Sequence, residues 1–177
     1  MRKLKLHELN RLTLYEFKES KKNKIIVILD NVRSLNNIGS IFRTSDALAI
    51  ESIFLCGISA TPPNNEIHKT ALGAEESVDW RYFPNILEAI NAARAKKYLI
   101  YSIEQTENSL SLLDFNPDPQ TGYALIFGNE VKGVDQEAIN ISDGVIEIPQ
   151  FGTKHSFNVS VTAGIILWEA VKKLLKS

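Results

Sequence analysis

One segment near the carboxyl terminus reads Ile146-Glu147-Ile148-Pro149-Gln150-Phe151-Gly152-Thr153-Lys154-His155-Ser156-Phe157-Asn158-Val159-Ser160-Val161-Thr162-Ala163-Gly164-Ile165. It begins as a short apolar strand, continues as a polar loop and leads into a helix. Asn158, Ser160 and Thr162 alternate with apolar residues where the helix starts. A polar group that becomes buried costs free energy unless it finds a hydrogen-bond partner. The segment therefore predicts that a polar group is bound at this loop.

Apolar runs of strand length recur along the rest of the chain. They occupy residues 25–29, 52–56, 98–102, 123–127 and 144–148, and the alternating residues 77–82 indicate a further strand. Continuous apolar runs are typical of parallel strands that are covered on both faces. Helices are predicted over residues 37–49, 86–97, 135–141 and 157–176. This alternation predicts an α/β fold with a mainly parallel sheet flanked by helices.

The amino-terminal region is expected to be a separate element. Residues 4–19 place apolar side chains about three apart, which predicts an amphipathic helix. We interpret residues 1–23 as a helical extension and residues 24–177 as one domain. The lysines that follow the helix, Lys21, Lys22 and Lys24, are either a solvated run of charge or a patch for RNA phosphates.

Composition limits the class of protein. With 44% hydrophobic and 23% charged residues the chain is typical of a soluble globular protein. Its 20 basic and 21 acidic residues leave a formal charge of −1, so nucleic-acid binding needs a local patch. The single cysteine, Cys56, lies in an apolar run and is predicted to be a buried thiol. We find no signal-peptide pattern and no apolar run of membrane-spanning length, so a cytoplasmic protein without membrane contact is expected.

Several common chemistries are disfavoured by the motifs. No GxGxxG is present, and Val134-Asp135 stands where a phosphate-binding loop after Gly128 and Gly133 needs Lys and Ser or Thr. The three histidines lack metal-ligand spacing, so no metal is expected. His155-Ser156 has no G-x-S-x-G context that would indicate a hydrolase.

Loops at the carboxyl ends of parallel strands are where ligands gather, and polar side chains mark these loops here. Asn37 and Arg43 are six residues apart, so they point to different sides of a helix. They are either an N-cap and a surface residue, or they contact different parts of one site. Before the last helix, Ser156 is a candidate N-cap, and Asn158 offers both a donor and an acceptor.

Three segments taken together resemble the ordered motifs of the SpoU (TrmH-like) RNA ribose methyltransferases. They are residues 37–44 (NIGSIFRT), 126–134 (IFGNEVKGV) and 148–161, which include Ile148-Pro149 and Ser156-Phe157-Asn158-Val159-Ser160-Val161. The resemblance covers about residues 24–176. It implies a SPOUT fold with a deep carboxyl-terminal trefoil knot and a homodimer that binds S-adenosylmethionine. The implied activity is methyl transfer to a ribose 2′-hydroxyl of RNA, with tRNA favoured over rRNA.

The resemblance also implies roles for individual residues. Those at catalytic positions are Asn37, Arg43, Glu130, Ser156 and Asn158, and those at cofactor positions are Gly128, Ile148 and Phe157. Phe157 replaces the usual leucine, which keeps the position apolar. Because a guanidinium is a poor base, we expect Arg43 to stabilise the developing alkoxide and a neighbouring phosphate. The alternatives are a knotted RNA-binding or assembly factor without activity, and a methyltransferase for a small molecule or protein.

Overall fold

The computed structural model describes residues 1–5, 8–154 and 156–175. Leu6, His7, His155, Lys176 and Ser177 lie outside the described residues, as do the sequence-based predictions that concern them. Among the described residues, no helix combines the length and apolarity needed to cross a membrane.

A seven-stranded sheet forms the centre of the molecule. Its strands are β1 (Asn23–Asp30), β2 (Ile50–Cys56), β3 (Asp79–Phe83), β4 (Tyr98–Ile103), β5 (Leu110–Ser111), β6 (Gly122–Phe127) and β7 (Gly144–Glu147). They lie in the order β3-β2-β1-β6-β4-β7-β5, and each neighbouring pair is parallel. The predicted α/β fold with a parallel sheet is confirmed, and the alternating residues 77–82 overlap β3.

Helices connect these strands. They are α1 (Leu14–Glu19), α2 (Leu35–Ala47), α3 (Asn65–Ala71), α4 (Ala74–Ser77), α5 (Ile86–Ala95), α6 (Gln136–Ile141) and α7 (Val159–Leu174). The predicted helices are found in α2, α5, α6 and α7 with shifted ends. The short elements α3, α4 and β5 were not predicted, because each is too brief to show a hydrophobic period.

The apolar strand runs are explained by burial on both sheet faces. In β1, Ile25, Val27 and Leu29 belong to one hydrophobic cluster, which also contains side chains of α2 and α7. Ile26 and Ile28 belong to a second cluster, which includes side chains of α5 and α6. Burial of each such side chain contributes about 1.5–3 kcal/mol. A sheet with this support holds its strand ends, and the loops that leave them, in fixed positions.

The predicted helix over residues 4–19 is wrong in extent. The helix begins at Leu14 because Thr13 and Glu16 form a capping box, in which Glu16 N donates to Thr13 Oγ1 (3.3 Å) and Thr13 N donates to Glu16 Oε2 (2.8 Å). Phe17 packs into the main cluster, and Lys22 Nζ donates to the Phe17 carbonyl oxygen. Lys22 therefore completes the end of α1. The division into an extension and a domain at residue 24 stays a prediction.

The thiol of Cys56 is fully buried, as its apolar neighbours predict. Burial, together with the nearby Asp30 carboxylate, raises the pKa of the thiol to about 12. The side chain is therefore protonated at neutral pH and acts as a small core residue.

Gly39 allows α2 and α3 to approach closely. A Cβ atom at this position would lie 2.1 Å from Thr70 Oγ1 and 2.3 Å from the Ile67 carbonyl oxygen. At Gly152 in the loop after β7, by contrast, no atom lies within 4 Å of the added Cβ.

We expect Gly39→Ala to lower the free energy of unfolding by about 1–3 kcal/mol, because the added methyl group must push the two helices apart. Urea unfolding followed by circular dichroism measures the change. Gly152→Ala is the matched control, and it should leave stability unchanged because the added methyl group meets no other atom. Equal stability of Gly39→Ala and the wild-type protein would contradict the close helix contact.

Candidate functional site

A cavity of about 520 Å³ opens at the carboxyl edge of the sheet. Its lining comes from the loops after β4, β6 and β7 and from the start of α7, and it includes Glu104, Gly128, Asn129, Glu130, Ile148, Gln150, Ser156, Phe157 and Asn158. The three residues predicted to hold a cofactor, Gly128, Ile148 and Phe157, therefore share one cavity with three of the predicted catalytic residues. This is the edge at which parallel sheets bind their ligands.

Glu130 ties the loop after β6 to the loop after β1. Its carboxylate accepts hydrogen bonds from Arg33 N (3.0 Å), Ser34 N (3.0 Å) and Asn37 Nδ2 (3.0 Å). These donors lie at the start of α2, where the helix dipole also favours a negative charge. Asn129 adds a second link between the loops, because its Nδ2 donates to the Asn31 carbonyl oxygen (2.7 Å).

Asn37 extends this network to the start of α7. Its Oδ1 accepts hydrogen bonds from Asn158 Nδ2 (3.2 Å) and Ser160 Oγ (3.4 Å). The amide of Asn37 therefore donates to Glu130 on one side and accepts from α7 on the other. Glu130, Asn37 and Asn158, which come from three separate segments of the sequence, form one continuous chain of hydrogen bonds.

The environment of Glu130 keeps it ionised. Partial burial acts to raise the pKa of this carboxyl group, but hydrogen bonds outweigh that effect and hold the pKa below its ordinary value. The donors are the backbone N–H groups of Arg33, Glu130 itself and Ser34, followed by the Asn37 side chain. Glu130 is consequently a weak proton acceptor, and its carboxylate holds the loop after β6 to the start of α2.

Glycines let the loop after β6 fold back on itself. Asn129 and Gly133 exchange two backbone hydrogen bonds (3.0 and 2.9 Å), and Gly133 has a φ of +72°, a value that favours glycine. A Cβ atom on Gly128 would lie 2.1 Å from Val134 N. Gly128 is therefore needed for the shape of the cavity wall.

Two helix-cap alternatives that the sequence left open are excluded by the structure. Asn37 is not the N-cap of α2, because Ser34 occupies that position and its Oγ accepts from Asn37 N (3.3 Å). Ser156 is not the N-cap of α7, because Asn158 Oδ1 accepts from Ser160 N (2.9 Å). Ser156 instead lines the cavity with an exposed side chain.

Arg43 is not brought to the cavity within a single chain. It lies on the exposed side of α2, next to the buried Phe42, and it is absent from the cavity lining. Within residues 1–5, 8–154 and 156–175, its guanidinium makes no hydrogen bond or ion pair. The predicted catalytic set therefore divides into four assembled residues and one separate cation.

Sequence reasoning missed Arg33, Ser34 and Glu104 as parts of the site. Arg33 contributes a backbone N–H, which leaves no side-chain signature. Ser34 is followed three residues later by Asn37, and a serine just before a helical period is a known helix-start signal that could have identified it. Glu104 directly follows β4, so the strand-end rule alone would have indicated it.

The cavity lining fits a nucleoside that carries an amino-acid tail. The lining combines apolar side chains of Ile103, Ile148 and Phe157 with polar groups of Gln150 and Thr162. The volume of about 520 Å³ lies within the range of roughly 300–1,000 Å³ that is typical of cofactor pockets. These features suit S-adenosylmethionine, the cofactor that the resemblance implies.

Comparison with known proteins gives a family match. The model for the SpoU rRNA Methylase family matches residues 24–168. The tRNA (guanosine(18)-2′-O)-methyltransferase of Thermus thermophilus is 31% identical over 171 residues, which are 96% of this chain and 86% of that protein.

Solved structures show the same fold. The TrmH/SpoU tRNA modifying enzyme of A. aeolicus has a TM-score of 0.81 at 27% identity, over 92% of this chain and 81% of that chain. The AdoMet-bound rRNA methyltransferase of Sinorhizobium meliloti has a TM-score of 0.78 at 25% identity, over 88% of this chain and 59% of that chain. The chain thus spans less than two thirds of the Sinorhizobium protein.

The lowered pKa of Glu130 predicts a pH-dependent contribution to stability. This contribution is fully present above the ordinary carboxyl value of 4.5 and is lost as the pH falls through the lower folded-state pKa. At pH 7 we expect Glu130→Gln to lower the free energy of unfolding by about 1 kcal/mol or less, since solvent screens this exposed group. Urea unfolding at pH 7 and near pH 3 should show the difference shrinking at the lower pH.

Glu107→Gln is the control, because Glu107 is exposed and its side chain makes no hydrogen bond to another described residue. It should leave stability unchanged at both pH values. If the free energy of unfolding of Glu130→Gln is lower than that of the wild-type protein by the same amount at both pH values, the carboxylate charge is not what holds the two loops.

Proposed function

This chain belongs to the SpoU rRNA Methylase family and is an S-adenosylmethionine-dependent RNA ribose 2′-O-methyltransferase, and we propose that its substrate is a tRNA. The observation that carries the tRNA proposal is the similarity to enzymes that are named for tRNA. The Thermus tRNA enzyme is 31% identical over 171 residues, and the TM-score is 0.81 for the A. aeolicus tRNA modifying enzyme against 0.78 for the Sinorhizobium rRNA enzyme.

The residues that the fold brings together can be given separate roles in the reaction. When it is bound, S-adenosylmethionine supplies a methyl group that is open to attack by the ribose 2′-oxygen. Asn158 lines the cavity, and Asn37 is hydrogen-bonded to two lining residues, Glu130 and Asn158. We assign both amide groups to orienting the ribose. Glu130 fixes Asn37, and its carboxylate is already engaged by three N–H donors, so we assign it to holding the loops and not to proton transfer. No side chain of the site is assigned as the base, and the 2′-hydroxyl proton leaves to solvent.

We propose that Arg43 stabilises the developing alkoxide and binds an adjacent phosphate. A guanidinium carries a positive charge and offers a planar set of donors for phosphate oxygens. Because Arg43 is exposed and lies outside the cavity of its own chain, we propose that it serves the cavity of a second copy. Ser156, Gly128, Ile148 and Phe157 are assigned to the cofactor and substrate walls of the cavity.

A homodimer is supported by an exposed apolar groove of about 480 Å³ beside the cavity loops. The groove includes Leu113, Phe151 and Trp168, whose exposed fractions are 72%, 95% and 56%. Large apolar side chains grouped on a surface indicate an interaction site. We assign this groove to the contact between two copies.

The remaining family features are proposed on similarity alone. The TM-score of 0.81 to the A. aeolicus enzyme supports a deep trefoil knot in the carboxyl-terminal part of the domain that begins at residue 24. A cytoplasmic location follows from the proposed tRNA substrate.

The substrate is tested with methyl-labelled S-adenosylmethionine and total RNA from the source organism. We expect label in the tRNA fraction, recovered after nuclease digestion as a 2′-O-methylnucleoside that mass spectrometry maps to one position. Label confined to rRNA would overturn the tRNA assignment. Binding of the cofactor and of RNA without methyl transfer would favour the inactive RNA-binding factor.

The proposed action of Arg43 on a partner's cavity predicts subunit complementation. Arg43→Ala and Asn158→Ala should each lower kcat by about 100-fold or more as homodimers. After unfolding and refolding together at a 1:1 ratio, half of the dimers are mixed, and each mixed dimer has one complete site. Activity should therefore return to about a quarter of the wild-type value. No recovery in dimers that are shown to be mixed would mean that Arg43 acts in its own chain.

A further inference from the structure

Two neighbouring strands of the cavity edge end in glutamates. β4 and β7 pair in parallel with Ile103 opposite Ile146, and Glu104 and Glu147 are the next residues on each strand. Glu104 N donates to the Ile146 carbonyl oxygen (3.1 Å), so the pairing continues to this point. Side chains at equivalent positions of paired strands share a face. Both glutamates line the cavity.

The carboxylates of Glu104 and Glu147 can each accept further hydrogen bonds from a ligand in the cavity. Glu104 accepts backbone hydrogen bonds from Gln105 N (2.9 Å) and Val134 N (3.1 Å). The Glu147 carboxylate accepts no hydrogen bond from the part of the chain that the structure describes. A carboxylate has about four lone-pair sites, so both groups can accept further donors. Two like charges side by side repel each other, and a cation between or beside them relieves that repulsion.

The other charges of the cavity leave this negative pair largely uncompensated. The remaining charged residues in the described lining are Glu130 and Lys132. Glu130 is engaged by three N–H donors at the start of α2, and Lys132 has an exposed side chain on the same loop. Three carboxylates therefore face a single ammonium group.

The charge of the methyl donor differs from that of its product. S-adenosylmethionine carries a sulfonium, an ammonium and a carboxylate, which give a net charge of about +1 at neutral pH. Transfer of the methyl group leaves a neutral thioether, so S-adenosylhomocysteine has no net charge. A negative cavity attracts the first more strongly than the second.

We propose that Glu104 and Glu147 determine cofactor specificity, by attracting the cationic methyl donor in preference to its uncharged product. This inference rests on the proposed function, because it takes the cavity as the cofactor site. Within that site it adds a role for two residues outside the three motif segments. The pair favours exchange of spent cofactor for fresh methyl donor after each turnover.

The test is isothermal titration calorimetry of both ligands with the wild-type protein, Glu104→Gln, Glu147→Gln and the double variant. Each single change should weaken binding of S-adenosylmethionine by about 5- to 10-fold, the range expected for a charge contact that solvent partly screens. Binding of S-adenosylhomocysteine should change by less than about twofold. The preference for S-adenosylmethionine over S-adenosylhomocysteine should fall further in the double variant. At high salt the difference between the variants and the wild-type protein should be smaller.

Glu76→Gln is the matched control, because Glu76 is exposed and outside the cavity lining, and it should bind both ligands as the wild-type protein does. Thermal unfolding without ligand checks that each variant is folded. If Glu104→Gln does not fold, the Glu147→Gln variant alone tests the proposal. The Glu147 carboxylate accepts no hydrogen bond from the described part of the chain, so its replacement should not disturb folding.

Two results would overturn the specificity role. One is an equal weakening of both ligands, which would indicate a packing role, and the other is unchanged binding of both. Failure of the wild-type protein to bind either ligand is a separate outcome, because it would remove the proposed function and the inference together.

Discussion

The carboxylate of Glu130 is the interaction on which the site depends. It takes two backbone N–H groups and the Asn37 amide at the start of α2, and so joins the loop after β1 to the loop after β6. These loops can meet because β1 and β6 are neighbours in the sheet, with both strands buried on both faces. Without that anchor, Asn37 would lose the partner that fixes its amide, and Asn158 would lose a fixed acceptor on α2.

Three features of the structure build the site: the packed core, the shape of one loop and a chain of hydrogen bonds. The two apolar clusters fix the strands, and Gly128 and Gly133 let the loop after β6 fold back. The hydrogen-bond chain then fixes the amide of Asn158, which lines the cavity, and the amide of Asn37, which is bonded to it. Such ordering suits a reaction that needs alignment of a sugar oxygen and a methyl group more than it needs a strong base. The low pKa of Glu130 agrees with this role.

The sequence was informative where a pattern extends over many residues. Continuous apolar runs predicted the parallel strands, and the second and third motif segments predicted side chains that share the cavity. The first segment contributes Asn37, which is hydrogen-bonded to Glu130 and Asn158 of the lining. Short elements such as α3 escaped because seven residues show little period. The amino-terminal helix was overextended because apolar spacing alone outweighed the Thr13–Glu16 capping box that sets its start. The placement of Arg43 was missed because it depends on which side of α2 faces the sheet and the cavity, and the spacing of residues along the sequence does not fix that.

The most direct test of the central claim is a double-mutant cycle on kcat for methyl transfer, with Glu130→Gln, Asn158→Ala and the double variant. If Glu130, Asn37 and Asn158 act as one unit, the double variant should be no slower than the slower single variant, because either change already breaks the chain. S-adenosylmethionine should remain bound in all three. Losses in kcat that multiply in the double variant would contradict the account, since they would mean that the two residues act independently.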